Sequence, residues 1–490
     1  MAPQTASRLA LAALALAAGL SSLATSIVNI GLPSLAEAFS APLQQVQWVL
    51  LAYLVAVTAL VVCAGRLADI VGAGRLLLTG IVLFTAASGA CAAAPRLELL
   101  VAARAAQGAG AAIMMAVSLA LLGDAVPKAR IGSAMGMIGG ASALGTALGP
   151  ALGGLLLGAL GWRAIFLVNV PLGLLTFLLA RRHLPADRGA PLGDWRKFDF
   201  TGALLLGTSL TAYALALTPG RSGFGTVSLG AGAAGAVLFG LFLIAQRRAS
   251  SPLVRLALLR NPVVGPGLGT NALVMTILMA TLVVGPFYLS FGLGLRAAVT
   301  GLVLSVGPVV VALAGVPSGR LVDRYGPYAV RVAGLIFVAT GCLLLSLLPA
   351  AFGASGYAGS VALVTGGYAL FQTANNSIVI AGAGPAERGV VSGLLSLSRN
   401  LGLITGASAM AALFGLASGA YDPAAAPAEV IAAGFRTTMA AAVLLALCAL
   451  LLLAVGTRLR SSAEFRSTPE AAAGGGSPPG SAAASSLQSS

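Results

Sequence analysis

Three features of this sequence predict an all-α protein that crosses a membrane many times. The first is composition: 58% of the 490 residues are apolar, only 8% are charged, and the mean hydropathy is +0.98. A soluble domain needs roughly a quarter to a third of its surface charged, so this chain is not one. The second is spacing. Fourteen apolar segments of spanning length follow one another, at about 9–31, 45–64, 75–94, 98–122, 132–159, 162–180, 200–217, 226–246, 264–288, 298–318, 329–350, 358–382, 390–416 and 432–456. The third is the distribution of basic residues. With the N-terminus inside, 22 of the 28 Lys and Arg fall on the inner side, 5 on the outer side, and Arg104 falls within a segment. Both termini are therefore expected in the cytoplasm.

That asymmetry also accounts for the net charge of +15, and no basic patch is interleaved with aromatics, so nucleic acid is excluded as a partner. Arg8 before an apolar run with small residues near Ala24 has the outline of a signal peptide. The run continues through Ile27 to Leu32, however, and the expectation is a first membrane helix. The four cysteines, Cys63, Cys91, Cys342 and Cys448, have neither metal-ligand spacing nor the look of a disulfide framework. No metal or cofactor is expected. Arg outnumbers Lys by 26 to 2, which points to a GC-rich bacterial genome and hence to a bacterial plasma membrane.

An internal repeat divides the chain. Gly65-Arg66-Leu67-Ala68-Asp69-Ile-Val-Gly72 returns as Gly319-Arg320-Leu321-Val322-Asp323-Arg-Tyr-Gly326, and Pro127-x-x-Arg130 returns as Pro385-x-x-Arg388. The copies follow segments 2 and 10, on the same side, so two six-helix halves are related by an axis along the membrane normal with two helices inserted between them. The expected organisation is residues 1–183, an insert at 184–262, a second half at 263–460, and a Ser/Gly/Ala/Pro tail at 461–490 without ordered structure. The repeated loop has its own logic. Its glycines permit a tight turn, and Asp69 is suited to face a helix N-terminus or to pair with Arg66 or Arg75, with Asp124 at the end of segment 4 as a further partner.

Segment 5 carries Gly136, Gly145, Gly149, Gly153 and Gly154, with Pro150 beside Gly149. Gly145, Gly149 and Gly153 recur every fourth residue, a spacing that lets helix backbones approach closely in lipid. Pro150 removes the hydrogen bond to the Thr146 carbonyl. The stretch Trp162-Arg163-Ala-Ile-Phe166-Leu-Val-Asn169-Val-Pro171-Leu-Gly173 follows. Within segment 4, Arg104 precedes Gln107 and Gly108, and an intramembrane arginine is costly unless it faces the bundle interior or water.

Together these motifs resemble those of the drug:proton antiporters of the major facilitator superfamily. The fourteen-helix branch, which includes multidrug and antibiotic exporters of actinobacterial type, has the same arrangement. The resemblance implies a major facilitator fold and export of a small organic molecule by alternating access, driven by the proton gradient. It also implies an antiporter motif on segment 5, a conformational latch at Arg66, Asp69, Arg75, Asp124, Arg320 and Asp323, and coupling of protonation to helix movement at Arg104 and Gln107. Ile70 and Ala73 stand where the family often carries Arg, which weakens the first latch. A monomer is expected.

One departure matters most. The branch typically shows Leu-Asp-x-Thr-Ile-Val-Asn in its first helix, whereas this chain reads Leu23-Ala24-Thr25-Ser26-Ile27-Val28-Asn29. None of the thirteen Asp and Glu falls mid-segment, and His183 lies in a loop. The expected substrate is therefore neutral, zwitterionic or anionic, with Arg104 as a counter-charge. Proton coupling would have to use acids near the membrane faces, and an uptake carrier or passive facilitator stays open as the alternative. With no His, Cys or acid constellation inside the segments, an intramembrane enzyme is not expected. Candidate substrate contacts are the polar and aromatic residues near mid-membrane. These are Thr25, Ser26, Asn29, Gln47, Tyr53, Asn271, and the shared face of Gln372, Asn375 and Asn376, with interhelical hydrogen bonding as the competing role.

Overall fold

Apolar runs with few charges bury their backbone polar groups only as helices in lipid, and the computed structural model of the chain is all-helical. It describes residues 3–125, 131–184, 199–218, 225–248, 256–347, 352–382, 388–419 and 426–467. The principal helices are α1 (Pro3–Phe39), α2 (Trp48–Val71), α3 (Ala73–Ala93), α4 (Leu97–Ala125), α5 (Ile131–Leu160), α6 (Asn169–His183) and α7 (Phe200–Ala216). They continue with α8 (Thr226–Arg248), α9 (Val264–Phe287), α10 (Ala297–Tyr325), α11 (Pro327–Leu347), α12 (Gly353–Ala381), α13 (Arg388–Thr405) and α14 (Ala428–Ser467). Two π-helical turns extend α9 (Tyr288–Gly292) and α13 (Gly406–Met410), the latter leading into Ala411–Ser418.

Among the described residues, twelve helices are long and apolar enough to cross a membrane, against fourteen expected segments. The two shortfalls have different causes. α7 is apolar but has only 17 residues. α12 has 29 residues but concentrates Gln372, Thr373, Asn375, Asn376 and Ser377 in less than two turns.

The repeated motif turns at a single residue in each half. Helix α2 runs on past Gly65 to Val71, and Gly72 (φ 100°) alone links it to α3; α10 likewise runs past Gly319 to Tyr325, and Gly326 (φ 81°) links it to α11. Positive φ at both junctions suits glycine and disfavours any side chain. Of the glycines expected to form the turn, Gly65 and Gly319 are instead helical.

Helix packing repeats with the motif. In the first half α1 lies along α5, and α4 packs against α2 and α3; in the second, α9 lies along α13, and α12 packs against α10 and α11. The glycines that permit these approaches recur in register. Gly80 of α3 and Gly334 of α11 stand 254 residues apart, as do Gly72 and Gly326. A Cβ on Gly110 of α4 would lie 2.6 Å from the Phe84 nitrogen, and one on Gly334 would lie 2.6 Å from the Phe371 nitrogen. Gly145 has no room for a Cβ against the Gly19 backbone, nor has Gly402, 257 residues later, against Ala272. The halves meet chiefly where α5 crosses α10, with smaller contacts between α2 and α13 and between α1 and α9. The α7–α8 pair packs on α2.

Candidate functional site: a buried arginine and a cavity between the halves

Arg104 is fully buried, so it does not reach for the membrane surface. Its Nε donates to the Val49 carbonyl of α2 at 2.9 Å, and Nη1 donates to Gln107 Oε1 one turn further along α4. Gln107 Nε2 in turn donates to Ser88 Oγ of α3 at 2.7 Å, and Ser88 donates to the Phe84 carbonyl at 2.7 Å. The guanidinium lies 4.2 Å from the Tyr53 ring centroid and 6.0 Å from that of Phe166. Tyr53 is held by its own hydroxyl, which donates to the Ser21 carbonyl at 2.8 Å. Arg104 thus joins α2, α3, α4 and the short helix Ala164–Leu167 before α6 through neutral partners and aromatic faces, and its buried Nη2 has no hydrogen-bond partner. A buried guanidinium without a carboxylate is expensive in lipid.

The glycine-rich helix α5 uses two faces. Gly145, Gly149 and Gly153 take the backbone and side chains of Gly19, Ser26, Ile27 and Ile30 of α1. Gly154 instead meets the second half: a Cβ there would lie 2.6 Å from the Ala297 carbonyl and 3.0 Å from the Gly301 Cα, while Gly301 leaves no room for a Cβ against the Pro150 carbonyl. The two halves therefore touch backbone to backbone at the end of the bundle that carries Gly161 and Arg296. At the other end, Arg75 is exposed at the start of α3, and Arg320 and Asp323 are exposed on the last turns of α10. The surroundings of Arg66, Asp69, Asp124 and Gly136 lie outside the described residues.

A cavity of 390 Å³ lies where α5 faces α9, α10, α12 and α13. Apolar groups such as Met275, Leu278, Leu304 and Val311 form much of its wall. Polar groups are few: the hydroxyls of Ser142, Thr146, Thr281 and Thr365, the rings of Tyr357 and Tyr368, and Arg399. Pro308 lines it, and Pro150 sits one turn past Thr146, so the carbonyls of Leu304 and Thr146 lack their usual helical donors. Near the cavity, Tyr357 donates to the Thr281 carbonyl at 3.2 Å and belongs to a ring cluster in which Tyr288 stacks on Phe435 at 4.3 Å. The π turn after α9 carries Tyr288, and such turns recur at functional sites.

Arg399 was missed by sequence reasoning, which grouped it with the inner-side basic residues. It lies eleven residues into α13, about 16 Å from the helix start. Its exposed side chain faces the cavity, whose wall also includes Tyr368. The available signal was its position inside an apolar segment. Arg331 of α11 was grouped in the same way; it is buried, and Nη1 donates to Asn375 Oδ1 at 3.5 Å.

The expected contact residues lie around this cavity rather than in its wall. Thr25 and Asn29 bond within α1, Asn29 keeping a buried Oδ1 without a partner, and Ser26 donates to the Gly145 carbonyl at 3.2 Å. Gln47 donates to Thr218 at 3.0 Å, tying α2 to the end of α7. Asn271 donates to the Leu395 carbonyl and to Ser398, and Asn375 to the Gly267 carbonyl at 3.2 Å. Gln372 and Asn376 bond to each other at 3.1 Å and continue the α12 face of Val361, Thr365 and Tyr368 beyond the cavity. The described acids Glu37, Glu98, Asp199, Asp323 and Glu429 sit at helix ends. Asp199 caps α7 and accepts from Gln246 of α8 at 2.8 Å.

Two repeated helical halves, a contact at one end and a cavity between them describe a multi-pass membrane transporter. The major facilitator superfamily profile matches residues 14–407, and the chain belongs to that family. It is similar to the riboflavin transporter RibZ of Clostridioides difficile, at 30% identity over 81% of this chain and 85% of that one. The multidrug resistance protein Stp of Mycobacterium tuberculosis is 32% identical over 78% and 71%. The multidrug efflux pump LfrA of Mycolicibacterium smegmatis is 30% identical over 83% and 80%. Among solved structures, a bacterial homologue of the lysosomal transporter Spinster, inward-facing and unoccupied, superposes with a TM-score of 0.67 at 14% identity, covering 95% of this chain and 99% of that one.

Proposed function

We propose that this protein is an exporter of a drug, antibiotic or other small organic molecule, working by alternating access in exchange for protons. The observation that carries the reading is the seam at Pro150, Gly154 and Gly301, where the antiporter helix touches the second half directly and a change of tilt would part or join the halves. Relatives named as a multidrug efflux pump, LfrA, and as a cephamycin export protein support the export direction, and one named as a multidrug resistance protein, Stp, is compatible with it. In this reading α7 and α12 also span the membrane, giving fourteen crossings, and both termini are cytoplasmic, as the basic residues favour. The backbone contact near Gly161 then closes the outer side, and the conformation is inward-facing. Arg104 and Gln107 hold α2, α3 and α4 as one body whose movement answers to protonation, with Asp69 and Asp323 in the cytoplasmic latches. The energy source is the proton gradient and no cofactor takes part.

A second reading, a carrier that takes up substrate or a passive facilitator, draws on Ala24 and on the absence of a carboxylate from the described cavity wall. A relative named as a riboflavin transporter and a fold neighbour titled as a nucleoside transporter are compatible with it. The test is growth of an efflux-deficient bacterial host on toxic compounds graded by charge, with empty vector, the protein and Arg104→Ala compared. Protection lost in the variant supports export. Sensitisation by the protein would favour uptake, and substrate movement unaffected by collapse of the pH gradient would rule out proton exchange.

A further inference from the structure

The cavity has an electrostatic bias that its helices did not need for folding. Arg399 is the one charged side chain among the described residues that line it, and every described carboxylate sits at a helix end. Position 142 of α5, which corresponds to Arg399 through the same 257-residue interval as Gly145 and Gly402, holds a serine. That serine shares its hydroxyl with Ser22 at 2.6 Å. The charge is therefore one-sided. A guanidinium almost two turns inside an apolar span, here Gly393–Ser418, is costly unless water or an anion meets it, and with low-dielectric walls its field is focused into the cavity. It would repel a cation and draw an anion. Its planar fork fits two oxygens of one carboxylate or sulfonate, and the hydroxyls of Thr146, Thr281 and Thr365 add neutral contacts around it.

We infer that the ligand of this cavity is an organic anion, an apolar body bearing a carboxylate or sulfonate that seats on Arg399. This inference rests on the cavity being the transport site. It transfers to Arg399 the counter-charge role that the sequence suggested for Arg104, whose guanidinium is committed to Val49, Gln107 and Tyr53. A cavity loaded in this way is electrically neutral, so the missing helix 1 carboxylate is not needed to balance the substrate.

The test uses the full chain in nanodiscs of zwitterionic lipid and three fluorescent probes of nearly equal shape: 9-anthracenecarboxylate, 9-anthracenemethanol and 9-anthracenemethylammonium. Saturable binding is measured against empty nanodiscs. The expected order is carboxylate, then alcohol, then ammonium, with the carboxylate about tenfold or more tighter than the ammonium. Arg399→Gln should weaken the carboxylate about tenfold and leave the alcohol unchanged, while Arg399→Lys should keep part of the preference; both are checked for a monodisperse elution profile. Gly307→Leu, which fills the cavity, should weaken all three probes. If Gly307→Leu weakens them but Arg399→Gln leaves their order intact, the anion inference is overturned and the cavity reading stands. If Gly307→Leu changes nothing, the cavity is not the site and both fail. Absence of saturable carboxylate binding, or ammonium binding as tight as carboxylate, also overturns the inference.

Discussion

The two halves share a backbone frame and fill it oppositely. Tyr53 of α2 and Gly307 of α10 are separated by the 254 residues that relate Gly72 to Gly326, and Gly108 of α4 and Thr365 of α12 by the 257 that relate Gly110 to Gly367. Within each half the two are in contact, Tyr53 with Gly108 and Gly307 with Thr365. A Cβ on Gly108 would lie 2.6 Å from the Tyr53 carbonyl, and one on Gly307 would lie 3.0 Å from Thr365 Cγ2. The same interval carries Arg104 to Val361. In the first half the large residues are Tyr53 and Arg104, stacked at 4.2 Å and bonded to three helices. In the second the corresponding residues are Gly307 and Val361, and both line the cavity. Duplication supplied one scaffold; the exchange of Tyr and Arg for Gly and Val leaves the position filled in the first half and open to the cavity in the second.

The largest expected effect comes from erasing that difference. Gly307→Tyr copies the first half's plug into the second and should abolish protection in the growth assay to the level of empty vector. The protein should still elute as a folded species, because overpacking typically costs only about 1–3 kcal/mol.

Neutralising the plug without emptying it is the complementary test. Arg104→Met keeps the volume and removes the charge. Since no carboxylate among the described residues holds that charge, the melting temperature should shift by only a few degrees while transport falls roughly tenfold or more. Arg104→Lys should not rescue it, because a single ammonium lacks the fork that reaches Val49 and Gln107 together. A large melting loss with full transport would make Arg104 a purely structural plug.

The seam between the halves gives the next effect. Gly154→Val pushes α5 against the Ala297 carbonyl, so spin labels at Leu160 and Arg296 should move apart in a double electron–electron resonance measurement. An unchanged distance would show that this glycine is not what keeps the end closed. The smallest effect is expected from Tyr213→Phe, which removes the 2.9 Å hydrogen bond from the inserted pair to Thr405 of α13. One such bond is worth about 1 kcal/mol, and transport should change less than about twofold. A larger change would mean that α7 takes part in the motion of α13.

Much of the fold was legible because membrane helices obey local rules. Apolar length marked the segments, and the paired Gly-Arg-Leu-x-Asp motifs exposed the duplication. Arg104 and Gln107 were readable as a pair because i, i+3 spacing on a helix is geometry that needs no neighbour. The cavity was not readable in the same way. Asn271 and Asn375 looked like substrate contacts, yet both donate to backbone carbonyls of adjacent helices. Arg399 looked like one more inner-side charge, yet it faces the cavity.

By itself, then, the sequence determined an all-helical membrane protein, its two-fold repetition, the glycine spacing of α5 and the presence of an arginine inside segment 4, since each follows from hydropathy or spacing along one helix. Only the tertiary structure decided which half supplies most of the cavity wall, that Arg399 and not Arg104 borders it, and that Gly154 meets Gly301 across the seam. Those outcomes depend on which faces of separate helices oppose one another, and a one-dimensional pattern fixes the faces of a helix without fixing what they meet.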